Sequence, residues 1–167
     1  MILIGLGANL PSPDFGSPRQ TIAAALGTLE DDAITVGAVS SWYSTAPVPA
    51  SDQPRFVNIV ARLDTVMSPD ALMHRLHAVE EQFGRVREAR NAARVLDIDL
   101  LDHNGEIRDS WPVLPHPRLA ERAFVLVPLR DVAPDWRHPV TGEGVDDLLQ
   151  RVPDLDDVRS LDTPAAG

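Results

Sequence analysis

The stretch that decides the fold is FGRVREARNAARVLDIDLL, residues 83–101. It leads from the end of a predicted helix into an apolar strand that carries two aspartates, Asp97 and Asp99. Because side chains of a strand alternate between its faces, we expect both carboxylates on one face, about 6.6 Å apart along the chain. The apolar side chains between and beside them then face the core: Leu96, Ile98 and Leu100.

Four arginines precede the strand within this stretch: Arg85, Arg87, Arg90 and Arg94. A pair of carboxylates can bind Mg²⁺, and neighbouring guanidinium groups can bind the phosphates that Mg²⁺ bridges. Each feature alone is more often a solvated surface, and the D-x-D pattern recurs at Asp154–Asp156 in a chain with 25 acidic residues. Their combination beside an apolar strand favours a magnesium–polyphosphate site.

Outward from this stretch, hydrophobic periodicity predicts the element order βαββαβ. The strands are expected at residues 2–7, 33–44, 56–66 and 95–101. Ser17 and Ser68, each followed by proline, mark the starts of two helices, and Gly84 ends the second. This order is that of an α+β, ferredoxin-like fold, in which helices cover one face of a mostly antiparallel sheet and the other face is open.

The open face of the sheet is the expected place of a site. Phe56 and Asn58 alternate with the apolar residues of the third strand, so they are expected on the same face as the two aspartates. Residues 45–55, between the second and third strands, are longer than the about 2–5 residues of an ordinary hairpin loop, and residues 84–94 form another long connection between the second helix and the fourth strand. Two long loops at one face favour a binding role over tolerated insertions.

Beyond the fourth strand the pattern is less regular and predicts C-terminal additions to the core. Pro115-His116-Pro117 leads into a short predicted helix that places Arg118 and Arg122 on one face. Residues 145–152 are expected to form a small amphipathic helix.

Composition limits the remaining classes of function. The chain has 167 residues, a net charge of −10, no cysteine and no lysine. The acidic balance argues against nucleic-acid binding, and the missing residue types exclude disulfides, thiolate metal sites, a P-loop lysine and Schiff-base chemistry. No apolar run has the length of a membrane span, and no charged leader precedes the first strand. We therefore expect a cytoplasmic protein, with one domain at residues 1–160 and a flexible tail at 161–167. We also expect a monomer, although composition does not determine the oligomeric state.

Residues 90–101, RNAARVLDIDLL, resemble the signature of the 6-hydroxymethyl-7,8-dihydropterin pyrophosphokinases, enzymes that activate the pterin for folate synthesis. Five further segments resemble motifs of that family in the same order: Gly7–Leu10, Tyr43–Pro47, Asp52–Asn58, Glu80 with Gly84–Arg87, and Pro115–Pro117 with Arg122–Phe124. The resemblance covers residues 2–135 and also implies a ferredoxin-like fold.

The resemblance implies a reaction in which the β,γ-diphosphate of ATP passes to the hydroxymethyl oxygen of the reduced pterin and AMP is released. It implies that Asp97 and Asp99 bind two magnesium ions for an in-line displacement, with Arg85 and Arg94 as further catalytic residues on the polyphosphate. The ATP contacts that it implies are Glu80, Arg87, Arg94, His116 and Arg122. Without the resemblance, Glu80 is interpreted as a surface carboxylate and His116 as a residue at the start of a helix.

A pterin is a flat fused ring that needs aromatic faces and complementary hydrogen-bonding groups. Phe56 and Phe124 are expected to stack on it, and the amide of Asn58 suits its pyrimidine edge. The remaining substrate contacts are expected from Thr45, Pro47 and Val48. Without Asn58 on the same strand face, both phenylalanines would be interpreted as core residues.

Several positions depart from the family pattern. In the arginine loop, which is shorter than in some members, Asn91 stands where many members carry tryptophan and Ala92-Ala93 replace Gly-Pro. Ala46 and Val48 replace a common proline and leucine. We expect these differences to change loop closure and affinity more than the type of reaction.

Two other functions are compatible with parts of the pattern. A metal-dependent phosphodiesterase could use the aspartate pair, but the acidic charge and the Phe56–Asn58 pair argue against it. A non-catalytic, ferredoxin-like ligand-binding module would leave the aspartate pair and the arginine-rich segment unexplained.

Overall fold

The computed structural model describes residues 1–85 and 93–162. In this part of the chain, strands and helices follow one another in the order β1 (Ile2–Ala8), α1 (Pro18–Leu29), β2 (Ile34–Val39), β3 (Tyr43–Thr45), β4 (Phe56–Thr65), α2 (Pro69–Gln82), β5 (Asp97–His103), α3 (Ala123–Val132), α4 (Val145–Leu149) and β6 (Arg159–Ser160).

Strand β1 lies between β4 and β5 and pairs with both of them. On its far side, β4 pairs with β2 along one half of its length and with β3 along the other, and β6 extends the sheet from β3. Every described pairing is antiparallel. The predicted α+β fold with a mostly antiparallel sheet is confirmed.

The two predicted helices begin where the serine–proline pairs stand. In α1, the Ser17 hydroxyl accepts a hydrogen bond from the Gln20 amide, and the Gln20 side chain accepts one from the Ser17 amide. This reciprocal capping satisfies two of the amide groups that a helix N-terminus leaves unpaired. In α2, the Ser68 hydroxyl accepts a hydrogen bond from the Ala71 amide, without the reciprocal bond.

One face of the sheet carries the larger core. Apolar side chains of β1, β4 and β5 pack there against α1 and α2; fully buried members include Ile4, Leu6, Ile22, Ile59, Leu63, Leu72, Leu76 and Ile98. The alternation along β4 and β5 therefore has the predicted phase, with Asn58, Asp97 and Asp99 on the opposite face.

The opposite face is open only in part, which corrects the expectation from sequence. Helix α3 covers it over Leu3, Val60 and Leu101, and α4 packs against α3, so that the two helices form a second core with the sheet. The buried Asp102 accepts a hydrogen bond from the Trp136 indole at 2.7 Å, which ties this C-terminal layer to β5. The uncovered remainder of the face lies beside Gly7, Asn58 and the two aspartates.

The single strand predicted at residues 33–44 is wrong, because β2 and β3 are separate strands. The pairing with β4 shifts register between Val36 and Val39. The Ser40 hydroxyl then accepts a hydrogen bond from the Val60 amide and donates one to the Ser41 carbonyl. A serine side chain that bonds the backbone in this way interrupts the ladder.

Helix α3 is absent from the sequence prediction. It contains Pro128, and a proline inside a helix removes a helical hydrogen bond. The prediction that Arg118 and Arg122 share a helix face is also wrong. A 3-10 turn at Leu119–Glu121 separates them, and Arg122 is the extended residue at which α3 begins.

The C-terminal segment returns to the sheet edge. The amide of Leu161 donates a hydrogen bond to the Trp42 carbonyl, and Asp162 accepts one from the Trp42 amide. Residues 163–167 of the predicted tail lie outside the described residues. Within residues 1–85 and 93–162, no helix has both the length and the apolar character to cross a membrane.

Candidate functional site

The sheet register brings the site together. Gly7 on β1 pairs with Asn58 on β4 and with Asp97 on β5, so these three residues form one row across the sheet. Gly5, two residues earlier, pairs with Val60 and Asp99 in the next row. The chain thus places a hydrogen-bonding amide and two carboxylates on the same face, with glycine between them.

Gly7 has no room for a side chain. A β-carbon there would lie 2.7 Å from the Asn58 Oδ1, closer than such atoms approach in proteins. Gly7 therefore leaves only backbone atoms between the Asn58 amide and the carboxylates, and we call this surface the glycine floor.

A cavity opens above this floor. Its walls are the start of the β3–β4 loop (residues 46–55), the beginning of α3, and the end of the connection before β5. All six residues that the sequence predicts for substrate binding line it: Thr45, Pro47, Val48, Phe56, Asn58 and Phe124. Four of the predicted catalytic and ATP-binding residues also line it: Arg94, Asp97, Asp99 and Arg122.

The polar wall of the cavity is fixed by one hydrogen bond. The Asn58 amide donates to the Thr45 hydroxyl at 2.7 Å, and both residues are buried. This bond sets the orientation of the Asn58 side chain. The site therefore presents its amide in a fixed direction before any ligand arrives.

The two aspartates have different partners. Asp97 forms ion pairs with Arg85 at 3.0 Å and with Arg94 at 2.7 Å, one arginine on each carboxylate oxygen. Asp99 lies 3.9 Å from both the His116 ring nitrogen and the Arg122 guanidinium, too far for direct hydrogen bonds. Asp97 is thus neutralised locally, whereas Asp99 is not.

The pKa values of this cluster follow from burial and neighbouring charge. Burial, followed by the charge of Asp97, raises the pKa of Asp99 to about 7. Burial and the nearby Arg122 lower the pKa of His116 to about 4, so the imidazole is neutral at pH 7. Two carboxylates that repel each other favour the binding of a cation, because its positive charge relieves the repulsion.

Glu80 is not a surface carboxylate, and this alternative from the sequence is wrong. Its side chain is 1% exposed, it accepts a hydrogen bond from the Ile98 amide at 3.1 Å, and it forms an ion pair with Arg85. Since Arg85 also pairs with Asp97, Glu80 connects the end of α2 to the strand that carries both aspartates. It lies behind the strand and does not line the cavity.

Asn9 is a site residue that residue-level reasoning from the sequence missed. It is 2% exposed; its Oδ1 accepts a hydrogen bond from the Arg94 amide at 2.8 Å, and its Nδ2 donates to Gln53 and to the Pro54 carbonyl. Asn9 therefore joins the connection before β5 to the β3–β4 loop. The Gly7–Leu10 motif was the signal that could have identified it.

Arg87, predicted to contact ATP, and also Arg90 and Asn91 lie outside the described residues. Across residues 1–85 and 93–162, no group of three or more His, Asp or Glu side chains could hold a metal ion. Asp97 and Asp99 supply hard oxygen donors of the type that Mg²⁺ prefers, so they fit a metal that takes its other ligands from phosphate and water.

Comparison with known proteins gives a consistent result. The family model described as 7,8-dihydro-6-hydroxymethylpterin-pyrophosphokinase matches residues 3–134. The chain is 42% identical to the 2-amino-4-hydroxy-6-hydroxymethyldihydropteridine pyrophosphokinase of Pseudomonas aeruginosa over 154 residues, covering 91% of each chain. Identity to proteins of the same name is 38% in Methylorubrum extorquens, covering 89% of this chain and 91% of the relative. In Synechocystis it is 34%, covering 90% and 75%.

The first prediction concerns Gly7. Gly7→Ala is expected to displace Asn58 from Thr45 and to cost about 1–3 kcal/mol of stability, because the new methyl group meets the amide oxygen and the hydrogen bond is lost. Urea unfolding measures the stability, and the NMR signals of the Asn58 side-chain amide report the displacement.

Gly5→Ala is the matched control. A β-carbon at Gly5 would lie 3.5 Å from Leu101, an ordinary contact distance. Equal stability losses in the two variants, with unchanged Asn58 signals in Gly7→Ala, would contradict the steric argument.

The second prediction concerns Asp99 in the metal-free protein. The pKa of Asp99 in the folded chain, about 7, lies above its ordinary value of 3.8, so ionising Asp99 destabilises the fold increasingly as pH rises from about 4 to 7. Asp99→Asn removes that group, and its stability relative to wild type is therefore expected to be higher at pH 8 than at pH 5.

Urea unfolding in EDTA at both pH values measures this difference. The control is Asp154→Asn, which changes an exposed carboxylate in the second D-x-D pattern. A difference between Asp99→Asn and wild type that is the same at both pH values would refute the assignment.

Proposed function

The chain belongs to the 7,8-dihydro-6-hydroxymethylpterin-pyrophosphokinase family, and from this premise we propose how its site performs the reaction. It is an ATP-dependent pyrophosphokinase of folate biosynthesis. The observation that carries the proposal is the row formed by Asn58, Gly7 and Asp97. This row supports a pterin bound at the amide with its hydroxymethyl group directed to the carboxylates.

We assign the pterin to the cavity. Its flat ring would lie over the glycine floor, with Phe56 and Phe124 supplying apolar and aromatic surface. The amide of Asn58, already oriented by Thr45, would pair with the pyrimidine edge. A site whose polar groups are oriented before binding loses less free energy on ordering them.

Asp97 and Asp99 would hold two magnesium ions together with the phosphates of ATP. The ions would supply charge neutralisation for the polyphosphate. The raised pKa of Asp99, caused by burial and by Asp97, supports this role because a cation there relieves the repulsion between the two carboxylates.

The arginines on Asp97 would change partners when ATP binds. Arg85 and Arg94 pair with Asp97, and their guanidinium groups can form bidentate contacts with phosphate instead. Transfer of these guanidinium groups to the polyphosphate would free the Asp97 oxygens. Arg122, near Asp99, and the neutral His116 would contact ATP from the other side, whereas Glu80 would act on ATP through Arg85.

In the transfer, the hydroxymethyl oxygen of the pterin attacks the β-phosphorus of ATP. A new bond forms between this oxygen and the β-phosphorus, the bond from the β-phosphorus to the oxygen bridging the α- and β-phosphates breaks, and AMP leaves as the hydroxyl loses its proton. The residues of the chain mainly orient the two substrates and stabilise charge, as is usual for phosphoryl transfer.

We also propose that the chain acts as a cytoplasmic monomer. The net charge of −10 supports a function without nucleic acid. Neither the phosphodiesterase nor the non-catalytic module is favoured by an observation in the structure.

The experiment that tests the function uses the purified protein with Mg²⁺, ATP and 6-hydroxymethyl-7,8-dihydropterin. We expect AMP to form only when the pterin is present. Nucleotide analysis by ion-exchange chromatography measures it, with a reaction lacking pterin as control. Formation of ADP would indicate transfer of one phosphoryl group and contradict the proposed reaction.

The aspartate pair supplies a further prediction. Asp97→Asn and Asp99→Asn are each expected to lower kcat about a hundredfold or more, because each variant removes charge that the phosphates and their magnesium require. Asp154→Asn and Asp156→Asn, in the second D-x-D pattern, are the matched controls and should keep wild-type turnover. Wild-type kcat in either site variant would refute the metal assignment.

A further inference from the structure

The β3–β4 loop is held by a segment near the C-terminus, far from it in sequence. The Asp157 carboxylate accepts a hydrogen bond from the Ala46 amide at 2.6 Å, at the start of the loop. Its other oxygen pairs with the Arg55 guanidinium at 3.1 Å, at the end of the loop. One carboxylate thus contacts the first and last residues of a loop that lines the cavity.

Arg55 strengthens this arrangement with three more hydrogen bonds. Its guanidinium donates to the Asp157 carbonyl at 2.9 Å, to the Ser44 hydroxyl at 2.9 Å and to the Ser44 carbonyl at 3.1 Å. Arg55 therefore joins β3 to the turn that carries Asp157. We call the Arg55–Asp157 pair with its contacts to Ser44 and Ala46 the loop clamp.

The segment that carries Asp157 is itself fixed on both sides. Val158 packs against the second core, and β6 pairs with β3 directly after it. Asp162 then accepts a hydrogen bond from the Trp42 amide and pairs with Arg19 of α1. The anchor of the clamp is therefore a 3-10 turn, Leu155–Asp157, that is attached to the sheet edge and to the second core.

The clamp differs from an ordinary surface ion pair. Arg55 and Asp157 are each about one-third exposed, and a lone pair of that kind contributes little to stability. Here, however, the carboxylate also holds a backbone amide, and the Ala46 amide and Arg55 keep the pKa of Asp157 below its ordinary value. Ala46 is next to Pro47 and Val48, which line the cavity, so its position sets that wall.

We propose that Asp157 is a positioning residue for the pterin, which acts by fixing the β3–β4 loop through Ala46 and Arg55. This inference rests on the proposed function. It also implies that the Ala46 amide does not bind the pterin, because that amide donates to Asp157. The residue lies beyond the part of the chain, residues 3–134, that matches the family model.

The test is the kinetics of Asp157→Ala, which removes both contacts of the carboxylate with the loop and keeps the hydrogen bond from Arg55 to the main-chain carbonyl of residue 157. We expect KM for the pterin to rise about tenfold, with kcat and KM for ATP within twofold of wild type. Asp157→Asn keeps acceptor oxygen but loses the charge, and an intermediate KM is expected. Asp156→Ala, an exposed neighbour in the same turn, is the matched control and should leave all three constants unchanged.

A double-mutant cycle with Arg55→Ala separates the clamp from a general loss of structure. If Asp157 acts through Arg55 and Ala46, the two substitutions together should raise KM for the pterin by less than the product of their separate effects. An unchanged pterin KM in Asp157→Ala would overturn the proposal. So would equal losses for both substrates together with a lower melting temperature.

Hydrogen exchange distinguishes failure of the clamp from failure of the proposed function. Faster exchange of the Ala46 amide in Asp157→Ala is expected whatever reaction the chain performs. Wild-type protein that forms no AMP from pterin and ATP would overturn the function and, with it, the role of Asp157. Pterin-dependent AMP formation with unaltered Ala46 exchange in Asp157→Ala would overturn the clamp alone.

Discussion

The pairing of β1 with β4 on one side and with β5 on the other is the constraint on which the site depends. A shift of either pairing by one residue would turn the affected strand's side chains to the other face of the sheet. In the observed register, Asn58, Gly7 and Asp97 form one row, and Ile59, Leu6 and Ile98 form the next on the buried face. The hydrophobic core therefore fixes the positions of the amide and the carboxylate, because the same alternation that buries the apolar residues presents the polar ones to the cavity.

This arrangement places two negatively charged carboxylates close together, and their repulsion does not stabilise the fold. Asp97 and Asp99 share one face, and the pKa of Asp99 rises to about 7 because burial and its neighbour oppose ionisation. Arg85 and Arg94 compensate Asp97, and the buried Glu80 orients Arg85 from behind the strand. The fold thus keeps the guanidinium groups of Arg85 and Arg94 beside the carboxylates, where they offset part of the negative charge.

The sequence predicts the parts of this molecule that periodicity and local chemistry determine. Alternation identifies β4 and β5 with the correct faces, and the capping serines identify α1 and α2. The parts that depend on long-range contacts cannot be predicted in this way. Pro128 argues against α3, although packing of the helix on the sheet compensates the lost hydrogen bond. Ser40 divides the predicted strand through a hydrogen bond from the Val60 amide that only the folded sheet provides. At the site, the aspartates and Asn58 follow from pattern, whereas the partners of Asn9 depend on loops that are more than forty residues apart.

The β3–β4 loop at the cavity is held in place by hydrogen bonds to other segments of the chain. A ten-residue connection such as 46–55 has few apolar residues and cannot form a core of its own, so its order must come from hydrogen bonds to other segments. Asn9 holds it through Gln53 and Pro54, and Asp157 holds it through Ala46 and Arg55. These anchors have different consequences. Asn9 also binds the Arg94 amide, so movement at the loop is coupled to the arginine beside Asp97, whereas Asp157 ties the loop only to the sheet edge. The first anchor therefore connects the loop to the segment that carries Arg94, and the second fixes the loop residues that line the cavity.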